Sequence, residues 1–127
     1  MKVVIAIGGA SGSIYARVLL DKLMEIPNLE IAMVLSKNAA LNWELENENF
    51  PLGKYPFLRF ENDDYAAPFA SGSGKYDAMI ICPCSAGQLG RIANGLSDDL
   101  ISRAADVMLK ERKKLVLVFR ESPLSLI

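Results

Sequence analysis

The sequence contains no histidine, and only two of its 127 residues are cysteine. Without histidine the chain has no imidazole for acid–base catalysis near neutral pH, and two cysteines alone do not complete a zinc site. We therefore expect no metal ion in this protein. Cys82 and Cys84 form the segment Cys-Pro-Cys, and cysteines so close together in an extended segment bridge poorly. We expect both thiols to be reduced, as in a cytoplasmic protein.

A long apolar run and an excess of one charge are also missing. The 14 basic and 15 acidic residues give a net charge of -1 and are not segregated along the chain, which argues against a nucleic-acid partner or an anionic membrane. No apolar run approaches the length of a membrane span, and the stretch after Met1 is too short for a signal peptide. The hydrophobic fraction of 51% is enough for one compact domain over residues 1–127.

The apolar pattern alternates between strands and helices. Continuous apolar runs predict strands over 3–7, 30–35, 78–82 and 115–119, and helical spacing predicts helices over 13–24, 36–46, 88–93 and 99–111. Residues 47–73 show no period, and we expect an irregular excursion that is functional or forms an interface. The alternation predicts an α/β fold with a doubly wound parallel sheet, Rossmann-like or flavodoxin-like, in three α/β/α layers.

Small, polar or charged residues follow every predicted strand. The segments are GGASGS, SKN, PCSAGQ and RESP, in chain order. Because ligands of such sheets bind beyond the carboxyl ends of the strands, the four segments predict a small-molecule site. The spacing of Gly8, Gly9 and Gly12 is not the GxGxxG dinucleotide fingerprint, and Ser36 stands where an acidic residue would hold a ribose. This favours a mononucleotide phosphate or a flavin, although a strand-to-helix turn without a ligand fits the glycines too.

An ordered set of short motifs makes the assignment more specific. GASG, SK, ASGS, PCS, ANG, RAADV, LKER and RESPL, in this order, resemble the flavin prenyltransferase family of UbiX type. The resemblance implies a Rossmann-like flavoprotein that binds reduced FMN and transfers a dimethylallyl group to it from dimethylallyl monophosphate without a metal. The product, prenylated FMN, would serve a UbiD-type decarboxylase. Members of the family form homododecamers, so the resemblance also implies a homo-oligomer.

The resemblance assigns roles to individual positions of this sequence. It implies that FMN contacts Gly9, Ala10, Ser11, Ser36, Ser85, Ala86, Gly87, Gln88 and Arg103. It implies that the dimethylallyl phosphate contacts Tyr65, Arg103, Lys110 and Arg120. It implies catalytic roles for Ser11, Glu46, Lys110 and Glu121. Ionisation of an allylic phosphate separates charge, so fixed cations at the phosphate, an aromatic face for the allyl cation and a carboxylate for proton relay form a coherent set.

Alternatives exist for several of these residues. Arg103 and Lys110 could belong to a solvated helix face, and Tyr65 could be an interface aromatic. Glu121 could pair with a lysine. The resemblance also implies that the sequence stops before the family's last strand and helix, so we expect an exposed sheet edge that favours oligomerisation.

Three other functions compete with prenyl transfer. A decarboxylase of the related cysteine decarboxylase group would rely on a catalytic histidine, which this chain lacks. An FMN carrier would need the flavin loops but not the set of cations and Glu121. A non-catalytic fragment is the third alternative.

Overall fold

The computed structural model describes residues 1–127 as one sheet of five parallel strands with helices on both faces. The strands and helices follow in the order β1 (Lys2–Ile7), α1 (Ser13–Met24), β2 (Glu30–Leu35), α2 (Lys37–Glu46), β3 (Leu58–Glu61), β4 (Ala78–Cys84), α3 (Ala86–Ala93), α4 (Leu100–Lys110) and β5 (Lys114–Phe119). The strand order is β3-β2-β1-β4-β5, and every neighbouring pair is parallel. The predicted doubly wound α/β fold is therefore confirmed.

The core is split into two apolar layers by the sheet. Side chains of β1 alternate, so that Val4 and Ala6 face one layer while Ile5 and Ile7 face the other. The first layer lies under α3 and α4, and the second lies under α1 and α2. No helix in the structure combines the length and the apolar character needed to span a bilayer.

Cys82 and Cys84 are both free thiols, as expected, and both are buried. Residues two apart on a strand normally share a face, yet Cys82 packs in the α1/α2 layer and Cys84 in the α3/α4 layer. The pairing of β4 with β5 shifts register between Ile81 and Cys84, which turns the second thiol to the other face.

The prediction of an irregular excursion over 47–73 is wrong in one respect, because this region contains β3. The strand extends the sheet beyond β2, with Ala32 opposite Leu58 and Leu35 opposite Glu61. Only Phe60 of its four residues is partly buried, so the edge strand has no apolar run that a sequence pattern would reveal. Short 3₁₀ turns occur at Leu52–Lys54, Pro68–Ala70 and Gly72–Gly74.

Candidate functional site

The predicted convergence of loops at the carboxyl edge of the sheet is present. The amide of Gly8 donates to the carbonyl of Pro83 at 3.1 Å, and the amide of Ser36 donates to the carbonyl of Ile7 at 3.2 Å. The amide of Arg120 donates to the carbonyl of Cys84 at 3.1 Å. These bonds tie the segments that follow β1, β2, β4 and β5 into one surface.

The glycines after β1 make room for close backbone contacts. A Cβ atom on Gly8 would lie 2.5 Å from the carbonyl oxygen of Pro83, and one on Gly9 would lie 3.4 Å from the Ser36 hydroxyl oxygen. Gly12 has φ of 103°, in the left-handed region that glycine adopts without strain. We call residues 8–12 the glycine loop.

Helix α2 holds the end of the glycine loop through Glu46. One carboxylate oxygen of Glu46 accepts hydrogen bonds from the amides of Gly12 and Ser13, both at 3.1 Å, and from the Ser13 hydroxyl at 3.2 Å. A carboxylate at this position satisfies free amides at the start of α1 and complements the positive end of its dipole. Glu46, for which the resemblance implied catalysis, therefore contacts the loop and the helix start.

Two predicted flavin-contacting serines cap helices beside the loop. The Ser36 hydroxyl accepts from the amide of Ala39 at 3.1 Å at the start of α2, and the Ser85 hydroxyl accepts from the amide of Gln88 at 3.1 Å at the start of α3. In both, the hydroxyl hydrogen is left to donate to a ligand. The side chain of Gln88 is buried and donates to the Ser102 hydroxyl at 3.0 Å, which directs it into the protein.

A cavity of about 540 Å³ opens beyond β2 and β3. It is lined by Leu35, Ser36, Lys37, Asn38, Glu61, Asn62, Asp63, Tyr65, Asp98 and Asp99. The Tyr65 hydroxyl donates to the carbonyl of Asp98 at 2.7 Å, which fixes its half-exposed ring at this wall. Gly9 lies beside Asn38 of this lining, since a Cβ there would be 3.0 Å from Asn38 Cβ. The structure thus places Ser36 and Tyr65 at one opening, with Gly9 of the glycine loop beside its Asn38 wall.

Arg120 and Glu121 follow β5 on the other side of the loop. The side chain of Arg120 passes the loop, with its Cδ 3.8 Å from where a Cβ on Gly12 would stand. Glu121 lines a second cavity of about 590 Å³, between α3 and the C-terminal segment, whose wall includes Leu89 and Phe119. Neither side chain forms an ion pair, so both charges are free to face a ligand.

Helix α4 places its two predicted cations at opposite ends. Arg103 is exposed on the first turn, where its amide donates to the carbonyl of Asp99 at the carboxyl edge. Lys110 ends the helix and pairs with Asp106 at 3.8 Å. Eleven residues at about 1.5 Å rise make a helix of roughly 16 Å, and β5 then starts opposite Ala78, the first residue of β4. The structure therefore does not bring Lys110 to the glycine loop of its own chain.

Three further residues contact the loop or Ser13, which directly follows it, and were missed from the sequence. Asn42 donates from Nδ2 to the carbonyl of Gly9 at 2.8 Å, and Asn47 donates from Nδ2 to the Ser13 hydroxyl at 2.6 Å. The Tyr15 ring packs on Gly12, 3.0 Å from the position of a Cβ. The spacing of Asn42 and Glu46, four residues apart on one helix face, is the only sequence signal that could have indicated the first of these contacts.

Comparison with known proteins adds a family match. A family model described as Flavoprotein matches residues 1–126. The flavin prenyltransferase UbiX of Methanocaldococcus jannaschii is 42% identical over 123 residues, which cover 97% of this chain and 67% of the relative. The flavin prenyltransferase LpdB of Lactiplantibacillus plantarum is 46% identical over 129 residues, covering 99% of this chain and 68% of the relative.

Solved structures match along nearly the whole chain. A protein described as a dodecameric FMN-dependent UbiX-like decarboxylase from Escherichia coli O157:H7 superposes with a TM-score of 0.92 at 42% identity, covering 99% of this chain and 70% of that chain. AnUbiX (PadA1), in complex with FMN and dimethylallyl pyrophosphate, superposes with a TM-score of 0.91 at 41% identity, covering 98% and 67%. The chain thus spans about two thirds of the length of these proteins.

Proposed function

Because the chain belongs to the flavoprotein family and, within it, to the flavin prenyltransferases, we propose that it transfers a dimethylallyl group from dimethylallyl monophosphate to reduced FMN. The observation that carries the proposal is identity of more than 40% to proteins of that name along nearly all of the chain. A relative with 41% identity binds FMN together with a dimethylallyl donor. The product would be prenylated FMN.

The residues at the carboxyl edge fit FMN. The glycine loop exposes backbone where side chains would fill the space, and serine hydroxyls with a free hydrogen stand on both sides of it. We assign FMN binding to this surface, formed by Gly9, Ala10, Ser11, Ser36, Ser85, Ala86, Gly87, the backbone of Gln88, and Arg103. Reduced FMN, when bound, supplies the nucleophilic ring that accepts the dimethylallyl group.

Charged side chains of this chain stabilise the phosphate as it departs. When the allylic C–O bond breaks, negative charge grows on the phosphate, and the guanidinium of Arg120 beside the loop stabilises it. Glu121, the next residue, relays a proton between the flavin and the departing phosphate. The Tyr65 ring offers its face to the allylic cation. Ser11, exposed on the loop, donates to the flavin, and Glu46 fixes the loop that carries Ser11.

Lys110 serves the same phosphate only if it comes from another copy of the chain. It ends α4 at the edge of the sheet where the strands begin. A relative with 42% identity is dodecameric. We assign to this protein a homo-oligomer, up to a dodecamer, in which Lys110 of one copy reaches the site of a neighbour.

The destination of the product is a UbiD-type decarboxylase in the same compartment. The free, buried thiols of Cys82 and Cys84 support the cytoplasm as that compartment.

Phosphate release tests the proposal. Purified protein is incubated anaerobically with dimethylallyl monophosphate and either reduced or oxidised FMN, and inorganic phosphate is measured with the amount of altered flavin. We expect one phosphate released per flavin altered, with reduced FMN only. Phosphate release that does not depend on FMN would indicate a phosphatase, and FMN binding without release would indicate a flavin carrier.

A further inference from the structure

Asn42 of α2 contacts the glycine loop, and Asn47, the residue after α2, contacts Ser13, the residue that follows the loop. Asn42 donates to the carbonyl of Gly9 at 2.8 Å, which fixes the peptide that precedes Ala10. Asn47 donates to the Ser13 hydroxyl at 2.6 Å, just after the loop. Side chains at α2 and directly after it thus hold Gly9 within the loop and Ser13 directly after the loop.

The bond from Asn47 also sets the orientation of Ser13 and Glu46. Because the Ser13 oxygen accepts from Asn47, its hydrogen points to the Glu46 carboxylate, 3.2 Å away. That carboxylate in turn accepts from the amides of Gly12 and Ser13. Removal of the Asn47 donor would free the Ser13 hydroxyl to rotate and weaken the hold of Glu46 on Gly12.

Stability of the folded state alone does not explain an asparagine at position 47. Its side chain is buried, and its Oδ1 has no hydrogen-bond partner. An unpaired buried oxygen destabilises the folded state, so its retention calls for an explanation. The amide is explained by the one donor that it supplies to Ser13.

We propose that Asn42 and Asn47 are positioning residues of the flavin site, which hold the glycine loop in the shape that FMN binds. This inference rests on the proposed function. This role requires no contact of either asparagine with FMN or the prenyl donor. They act through the peptide at Gly9 and through the Ser13–Glu46 pair.

The test compares Asn42→Asp and Asn47→Asp with Asn49→Asp. Asparagine and aspartate have nearly the same size, but a carboxylate cannot donate to a carbonyl or support the Ser13 bond. Asn49 is exposed and makes no side-chain hydrogen bond, so it controls for added charge. Asn42→Ala is a second variant that removes the donor without a charge, and thermal unfolding verifies that each variant is folded.

Three readouts are measured on the full chain: FMN affinity, visible circular dichroism of bound FMN, and hydrogen exchange of residues 8–13 without ligand. We expect the Kd of FMN to rise about three- to tenfold for each bond lost, with altered dichroism and faster exchange in the loop. A purely structural role would lower thermal stability but leave affinity and dichroism unchanged.

The test distinguishes failure of the positioning role from failure of the proposed function. If wild-type protein binds FMN and the Asn42 and Asn47 variants match Asn49→Asp in FMN affinity and dichroism, the positioning role is refuted and the proposed function stands. If wild-type protein binds no FMN, the proposed function fails, and the flavin role of the asparagines fails with it.

Discussion

At the residue scale, features that depend on neighbouring residues in the sequence were predictable, whereas contacts between residues distant in the sequence were not. The glycines after β1 and the capping serine Ser36 were predictable because each acts within a few residues of its own position. The partners of the loop were not, because Glu46 and Asn47 lie 33 to 34 residues from Ser13 in sequence. Their contact depends on how α2 packs beside α1.

Replacement of Gly12 by alanine tests the loop backbone. An L-residue at φ of 103° is strained by about 1–2 kcal/mol, and the added Cβ would also press on the Tyr15 ring at 3.0 Å. We therefore expect Gly12→Ala to lower the free energy of unfolding in urea by more than Gly95→Ala. Gly95 is the matched control, since its φ is also positive, at 69°, but nothing lies within 4 Å. Equal losses would mean that Tyr15 does not pack on the loop.

Arg120 tests the assignment of the phosphate site. We expect Arg120→Met to lower kcat of prenyl transfer by about 10²- to 10³-fold, the usual effect of removing one group that stabilises growing negative charge. The Kd of FMN should change little, because the arginine is assigned to the donor phosphate. Arg59→Met, at an exposed position on β3, is the control. A loss of FMN affinity that equals the loss of rate would place Arg120 at the flavin instead.

At the scale of elements, most strands and helices were predicted to within two residues, and the failure was confined to β3. The long apolar runs of β1, β2 and β4 are buried on both faces and therefore have a clear pattern. β3 lies at an edge and is short and mostly exposed, so its strand geometry comes from pairing with β2.

Asn62, just after β3, links this edge to α4. Its Oδ1 accepts from the amide of Ile101 at 3.0 Å, and its Nδ2 donates to Asp99 at 3.2 Å. Asn62→Ala removes both bonds, and we expect a loss of about 1–2 kcal/mol in the free energy of unfolding. Asn49→Ala should stay within about 0.5 kcal/mol of wild type. An Asn62→Ala variant as stable as Asn49→Ala would mean that Asp99 alone caps α4.

The thiols of β4 give a pH-dependent prediction. Burial raises the pKa of Cys82 and of Cys84 from 9.0 to about 11. In the unfolded chain the thiols ionise above about pH 9, so the unfolded state binds fewer protons there and becomes favoured. We expect stability to fall as the pH rises from 9 to 11. Thiol reagents at pH 8 should label native protein only as fast as it unfolds, and rapid labelling without denaturant would contradict the burial.

At the scale of the whole molecule, Arg120 and Lys110 lie far apart within one chain. This predicts that each site combines residues of two subunits. The single variants Arg120→Met and Lys110→Met should each lose nearly all activity. When equal amounts are unfolded and reassembled together, about a quarter of sites should combine an intact Arg120 with a neighbour's intact Lys110, if subunits mix at random. Recovery of about a quarter of wild-type activity is expected. An active Lys110→Met variant would exclude Lys110 from the site. No recovery, from mixtures shown to contain both chains, would assign both cations to one chain.

Prenyl transfer to FMN would change the mass of the flavin. Protein, reduced FMN and dimethylallyl monophosphate are incubated anaerobically, and the flavin is released and measured by mass spectrometry. We predict a flavin heavier than FMN by one dimethylallyl unit, formed only when protein and donor are both present. FMN of unchanged mass, recovered from protein to which it had demonstrably bound, would contradict prenyl transfer.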